Sequence, residues 1–345
     1  MAEHRYRSEQ NTIKKQKISS LTSQMPGFVS TYFQALEQQN MATGTMLGYA
    51  YDLKNFFEYF IRHKRPICTL KELEALTTQD IRNYLTDTSR YNKNGKTITV
   101  GEERNKRKIA SLRGFYSFFF KEDLIATNPT AKIVVPKSHK KQIISLDPEE
   151  VDMIFETVEN PTGSSQKKTA QSKTMTRDKA ILSILLGTGI RVTELVGLDV
   201  GDIDIRNASI RIIRKGGNED IVYFGEEIEK AILDYWGTDR ESFHPCVEDA
   251  DALFLSLHHK RITVRSVENL VKKYAKDAKI KKKITPHKCR TTFGQTLYDD
   301  THDLYLTADA LGHSNVETTK RHYASVKKDK KRIAASIGSD LLKRV

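Results

Sequence analysis

Apolar positions recur at helical spacing along most of the chain. Tyr49, Leu53, Phe56, Phe57 and Phe60 fall at i, i+4, i+7, i+8 and i+11, one stripe of an amphipathic helix beginning near Thr45. The segment 78–85 predicts a second helix, and Asn92 to Gly95 a loop. A longer helix is expected from Gly101 to Phe120, with Ile109, Leu112, Tyr116 and Phe119 facing inward and Lys106 and Arg113 on another face. Asn128-Pro129 ends it, and the stretch 131–145 reads as an extended basic linker. Residues 1–26 are polar and basic with little apolar periodicity, which predicts a flexible arm.

The second half opens at Leu146-Asp147-Pro148, where Asp147 suits an N-cap and Pro148 the first helical position. A helix is expected over 176–186, broken at Gly187-Thr188-Gly189 and resumed over 191–197. The clear β signal follows: 209–213 and 221–224 flank Lys215-Gly216-Gly217-Asn218, which is hairpin-turn chemistry. Helical patterns then cover 226–236, 264–278, 286–298, 304–311 and 315–325. Ile333, Ile337 and Leu341 repeat every four residues, so the tail should form one more amphipathic helix over 330–343. The expected architecture is mainly α with a small β-sheet. It divides into a basic arm (1–26), a small all-helical domain (27–130), a linker (131–145), an α+β domain (146–326) and a tail (327–345).

Charge narrows the partners. Lys and Arg number 57 against 44 Asp and Glu, a formal net charge of +13. So basic a chain is suited to a polyanion, and nucleic acid is the commonest. No run reaches the ~18 consecutive apolar residues of a membrane-spanning helix, and the N-terminus has no apolar signal core. Cys68, Cys246 and Cys289 are far apart with no Cys-x-x-Cys pair, which supports neither a disulfide framework nor zinc and fits a reducing cytoplasm.

Candidate chemistry lies in four separate segments. In Gly187-Thr-Gly-Ile-Arg191-Val-Thr-Glu194, a helix restarting after glycines presents Arg191 and, one turn on, Glu194. Arginine's planar, permanently charged fork matches phosphate oxygens. Lys215 sits at a hairpin tip, where a tight turn could hold a proton donor. Thr285-Pro286-His287-Lys-Cys-Arg290 places a histidine and an arginine at i and i+3 beside a helix N-terminus, which favours anions. Leu311-Gly312-His313-Ser-Asn-Val-Glu317 begins a last short helix carrying Tyr323. Asp199, Asp202 and Asp204 surround a turn and do not suggest a metal.

Taken in order, Arg191, Lys215, His287-x-x-Arg290, Leu-Gly-His313 and Tyr323 resemble the tyrosine recombinase family, the phage integrases and Xer-like enzymes. The resemblance spans roughly 27–326, including core-binding helices around 45–53 and 104–120. Thr291 stands where many relatives carry a histidine, and Tyr323 lies ten residues after His313, one more than the commonest spacing. The resemblance implies a SAM-like core-binding domain and a catalytic domain forming a C-shaped DNA clamp. It implies site-specific DNA recombination through a 3′-phosphotyrosyl intermediate: integration, excision, inversion or dimer resolution. Tyr323 is then the nucleophile. Arg191, Arg290 and His313 stabilise the transition state, Lys215 is the acid, His287 a proton shuttle or phosphate ligand, and Glu194 a supporting residue. Lys106, Arg107 and Arg113 are the expected DNA contacts of the first domain. The implied partners are double-stranded DNA with paired half-sites and further copies of the chain, a dimer on each site and a tetramer in synapsis. Accessory DNA-bending or directionality factors are a further possibility of the family; no metal or cofactor is implied. Two rivals remain open at this stage, a type IB topoisomerase-like relaxing enzyme and an inactive architectural DNA-binding protein. All the expected catalytic positions being filled weighs against the second.

Overall fold

The computed structural model describes residues 5–93, 95–136, 143–161, 171–214, 216–313 and 315–323. The chain divides into two compact units, Met1–Lys141 and Gln142–Val345.

The first unit contains α1 (Arg5–Thr22), α2 (Phe28–Gln38), α3 (Thr43–Arg62), α4 (Leu70–Glu74), α5 (Thr78–Asp87), a hairpin of β1 (Arg90–Lys93) and β2 (Lys96–Thr99), and α6 (Glu102–Lys121). Leu53, Phe56, Phe57 and Phe60 of the expected α3 stripe are buried, and Tyr49 packs at the margin of the same cluster. On α6, Ile109, Leu112, Tyr116 and Phe119 are buried as their spacing predicts. Aromatic rings supply much of this core and meet edge-on, as Tyr32 and Phe115 do at 5.2 Å between centroids.

Two expectations for this unit are corrected. Within the stretch 1–26 read as a flexible arm, residues 5–22 form a helix instead: α1 buries Ile18 and Leu21 in the core against α3. Only the C-terminal end of α1 has an apolar anchor, and Ile13 faces solvent, so no full stripe marks the helix in the sequence. Asn92 and Lys93, expected in a loop, instead end β1 and pair with β2, and Gly95 follows at φ +74°. Strands of four residues are too short to show alternation.

The second unit is built around α8 (Met175–Thr188), whose Ala180, Ile181, Ile184 and Leu185 are buried. It packs against α7 (Pro148–Glu159), α10 (Glu226–Tyr235), α11 (Val264–Asp277) and α12 (Pro286–Thr301). Asp147 and Pro148 start α7 as expected, with a capping box closed by Glu150. Inside the core, Asp178 of α8 accepts from the Tyr274 hydroxyl of α11 at 2.8 Å and from Arg177 Nη2 at 2.7 Å. That satisfies the buried carboxylate and fixes the two helices together.

Short α9 (Val192–Val196) follows the Gly break and leads to an antiparallel sheet in the order β3 (Ile203–Asp204), β4 (Ser209–Ile213), β5 (Glu219–Tyr223). Helices α13 (Leu304–Ala310) and α14 (Val316–Tyr323) complete the described unit. Asp199 and Asp202 close a turn and pair with Arg261 and Arg211. Among the described residues no cluster of metal-ligating side chains occurs, and no helix is long and apolar enough to cross a membrane. The tail expected to be helical over 330–343 lies outside the described residues.

Candidate active site

The site begins where α8 ends. Gly189 takes a left-handed conformation at φ +63°, and a side chain there would collide with Phe293 and Leu311. The chain therefore turns sharply enough for Arg191 to cap α9. Its backbone N–H donates to Glu194 Oε2 at 2.7 Å, and its Nη1 to Glu194 Oε1 at 2.7 Å. Glu194 is buried and also forms an ion pair with Arg214 Nη1 at 3.5 Å. One carboxylate thus holds two arginines.

Arg290 enters from the first turn of α12, 3% exposed, and donates from Nη1 to the Gly189 carbonyl at 2.6 Å. Burial, the Arg191 charge and, more weakly, that of Arg214 push its pKa down to about 10, with Glu194 and Tyr323 opposing. It remains a cation at neutral pH. The arginines converge on the turn after α13. Arg214 Nη2 donates to Ala310 O at 3.1 Å, Arg290 Nη2 to Leu311 O, and Arg191 Nη2 to Gly312 O at 3.3 Å. Three successive carbonyls are taken by three different arginines. Gly312, at φ +56°, lies close beside the Arg214 guanidinium, and a Cβ would stand 2.6 Å from its Nε.

That turn carries His313, whose Nδ1 hydrogen-bonds the buried Thr319 hydroxyl at 2.8 Å, fixing the ring between turn and helix. At the end of α14 Tyr323 is buried, its ring over Gly294 of α12 so closely that a Cβ there would meet Cζ at 2.7 Å and the hydroxyl oxygen at 2.8 Å. Burial raises the Tyr323 pKa and the Arg290 charge opposes it, so the phenol is protonated at neutral pH.

Arg191, Glu194, Arg290, His313 and Tyr323 are thus gathered in one neighbourhood from α9, α12, α14 and the turn before α14. Arg290 is buried while Arg191 stays partly exposed, and the planar fork of a guanidinium suits an oxyanion such as phosphate or carboxylate. The ten-residue step from His313 still lands Tyr323 against α12. His287, exposed, follows Pro286 at the start of α12, and its carbonyl accepts from the Thr291 hydroxyl at 2.9 Å. Thr291 serves the helix itself. Lys215 lies outside the described residues; the turn around it is closed by Arg214 N–H donating to Asn218 O at 2.8 Å.

The matching family models follow the same two units. The phage integrase family model covers residues 145–330, and that of the phage integrase N-terminal SAM-like domain covers 29–123. The chain belongs to the phage integrase family of tyrosine recombinases. Tyrosine recombinase XerC of Staphylococcus saprophyticus is 31% identical over 84% of this chain and 89% of its own length. Tyrosine recombinase XerC of Leptospira interrogans is 29% identical over 85% of this chain and 86% of its own. Among solved structures, the XerH site-specific recombinase bound to a palindromic difH substrate in a post-cleavage complex shares the fold, with a TM-score of 0.67 at 22% identity over 95% of this recombinase and 94% of that chain.

Arg214 escaped the sequence reading. Its signal was there: Ile210 and Ile212 alternate inward on β4, and the next position in step is an arginine. In the first unit, Arg107 donates from Nε at 2.8 Å and Nη2 at 3.0 Å to the buried Asp52. Arg113 donates to the Ile133 carbonyl, and Lys106 stands 3.7 Å from Glu103. Part of the charge read as DNA-facing therefore holds the domain together.

Proposed function

We propose that Tyr323 attacks a scissile phosphodiester held by Arg191 and Arg290 in this site-specific DNA recombinase. The enzyme breaks and rejoins strands of double-stranded DNA as a homo-oligomer, the activity of its family. The phenol gives up its proton, with His287 as shuttle, as its oxygen bonds to phosphorus; the bond to the 5′ oxygen breaks, and the 3′ phosphate stays on the tyrosine. The departing oxygen takes a proton from Lys215. Arg191, Arg290 and His313 carry the charge that builds on the nonbridging oxygens. Glu194 orients Arg191, and His287, beside the positive end of α12, serves as phosphate ligand or proton shuttle. Rejoining is the same path reversed, with a 5′ hydroxyl of another strand as nucleophile.

The observation that supports this reading is the approach of Arg290 to both Arg191 and the buried Tyr323, with Arg290 and Arg191 on successive carbonyls of one turn. The first unit is assigned to core-site binding, with Arg107 the α6 arginine whose position Asp52 fixes. The assigned place of action is the cytoplasm, on nucleoid DNA. The test is Tyr323→Phe. On a nicked suicide substrate the wild type should yield a denaturant-stable protein–DNA adduct, and Y323F none, with DNA affinity unchanged. An adduct from Y323F would move the nucleophile elsewhere.

A further inference from the structure

We propose that Arg214 is a positioning residue for the phosphate clamp, acting through the turn before His313 and through Glu194; this rests on the phosphate-clamp reading above. Arg214 stands at the end of β4, 8% exposed. It reaches three elements at once. Nε donates to Asp220 Oδ2 on β5 at 2.7 Å, Nη2 to Ala310 O at 3.1 Å, and Nη1 pairs with Glu194 Oε2 at 3.5 Å. Gly312 leaves room for the guanidinium, since a Cβ there would stand 2.6 Å from its Nε and 2.8 Å from its Cζ. A surface arginine with one carboxylate contributes little, but a buried fork spanning three elements sets their spacing.

The physical consequence runs along two routes. The first is the turn: with Arg214 on Ala310 O, the loop that carries His313 is held from the hairpin side, while Arg290 and Arg191 hold the next two carbonyls. The second is Glu194, whose two oxygens are shared between Arg191 and Arg214. Without Arg214 that carboxylate is drawn toward Arg191 alone, and Arg191 gives up part of its charge that would otherwise meet the phosphate. Both routes converge on stabilising negative charge in the transition state, so Arg214 acts through other residues and need not touch DNA.

The experiment compares single-turnover adduct formation by wild type, Arg214→Ala, Arg214→Gln and Arg290→Ala on two suicide substrates. One carries the ordinary scissile phosphodiester and the other a neutral methylphosphonate at that position, which needs far less cationic stabilisation. On the phosphodiester, R214A should be about 10- to 100-fold slower at saturating protein, with site affinity within about threefold, the size of loss expected for displaced reacting groups. On the methylphosphonate the gap to wild type should shrink several-fold, as it should for R290A. R214Q keeps the side chain's length without its charge and takes the place of R214A should that variant not fold. A purely structural loss would slow both substrates by the same factor, and equal ratios would overturn the proposal, as would a wild-type rate in R214A. If R290A itself gains nothing on the neutral substrate, the phosphate-clamp reading fails first, and the Arg214 proposal with it.

Discussion

Glu194 shows how little of a residue's role is contained in its own chemistry. On a short helix it would form an i,i+3 pair with Arg191 worth a few tenths of a kcal/mol. Buried, it accepts from the Arg191 backbone and side chain and pairs with Arg214. Removing it leaves two arginines and a backbone N–H facing a void. Glu194→Ala should therefore destabilise the second unit by about 2 kcal/mol and slow adduct formation more than it weakens DNA binding. Glu194→Gln, which keeps an acceptor, should recover most of the melting temperature but not the rate. Calorimetry beside single-turnover cleavage separates the two effects. A normal rate in E194A would remove Glu194 from the clamp.

Among elements, the fit of α14 on α12 is the one on which the proposed chemistry depends. Gly294 has no side chain, and the Tyr323 ring and Leu311 occupy the space a methyl group would need. Gly294→Ala gains helix propensity but overpacks this contact, a cost of about 1–3 kcal/mol. The ring is the part that can give way, so the variant should fold and bind DNA while adduct formation falls sharply. An adduct rate equal to wild type would show that Tyr323 reaches phosphate from a different seat. The corrected elements of the first unit follow a related rule. Helix α1 and the β1–β2 hairpin take their stability from contacts at one end or across a short ladder, and neither leaves a periodic trace in the sequence.

At the scale of the molecule, charge and division into two units govern DNA binding. Each unit has its own buried core, and the net charge of +13 lies mostly in the first, where 24 Lys and Arg face 13 Asp and Glu, against 33 and 31 in the second. Part of that charge is internal: Arg107, Arg113, Arg177, Arg211, Arg214 and Arg261 are engaged by carboxylates or carbonyls of their own unit. Surface lysines and arginines remain to displace counterions from the duplex. Affinity for DNA of unrelated sequence should fall roughly a thousandfold between about 50 and about 200 mM salt, as for a protein making several phosphate contacts. Fluorescence anisotropy against salt gives the slope; a flat response would mean that the basic surface does not meet the DNA backbone.

The main helices, the β4–β5 hairpin and the motif positions of Arg191, Arg290, His313 and Tyr323 were legible in the chain itself. Amphipathic stripes and glycine breaks are local, and the motifs keep their internal spacing. What the sequence could not determine is what the cations do. Arg191, Arg113 and Arg214 are alike as letters, yet one caps α9 and reaches the turn carrying His313, one closes a loop onto its own domain, and one joins a hairpin to the turn before His313. That difference is long-range: Arg214 and Ala310 are 96 residues apart, and Arg191 and Gly312 are 121 apart. Only the packing of α8 and α12 brings such positions together, because the burial that closes the core also decides which polar groups must satisfy one another.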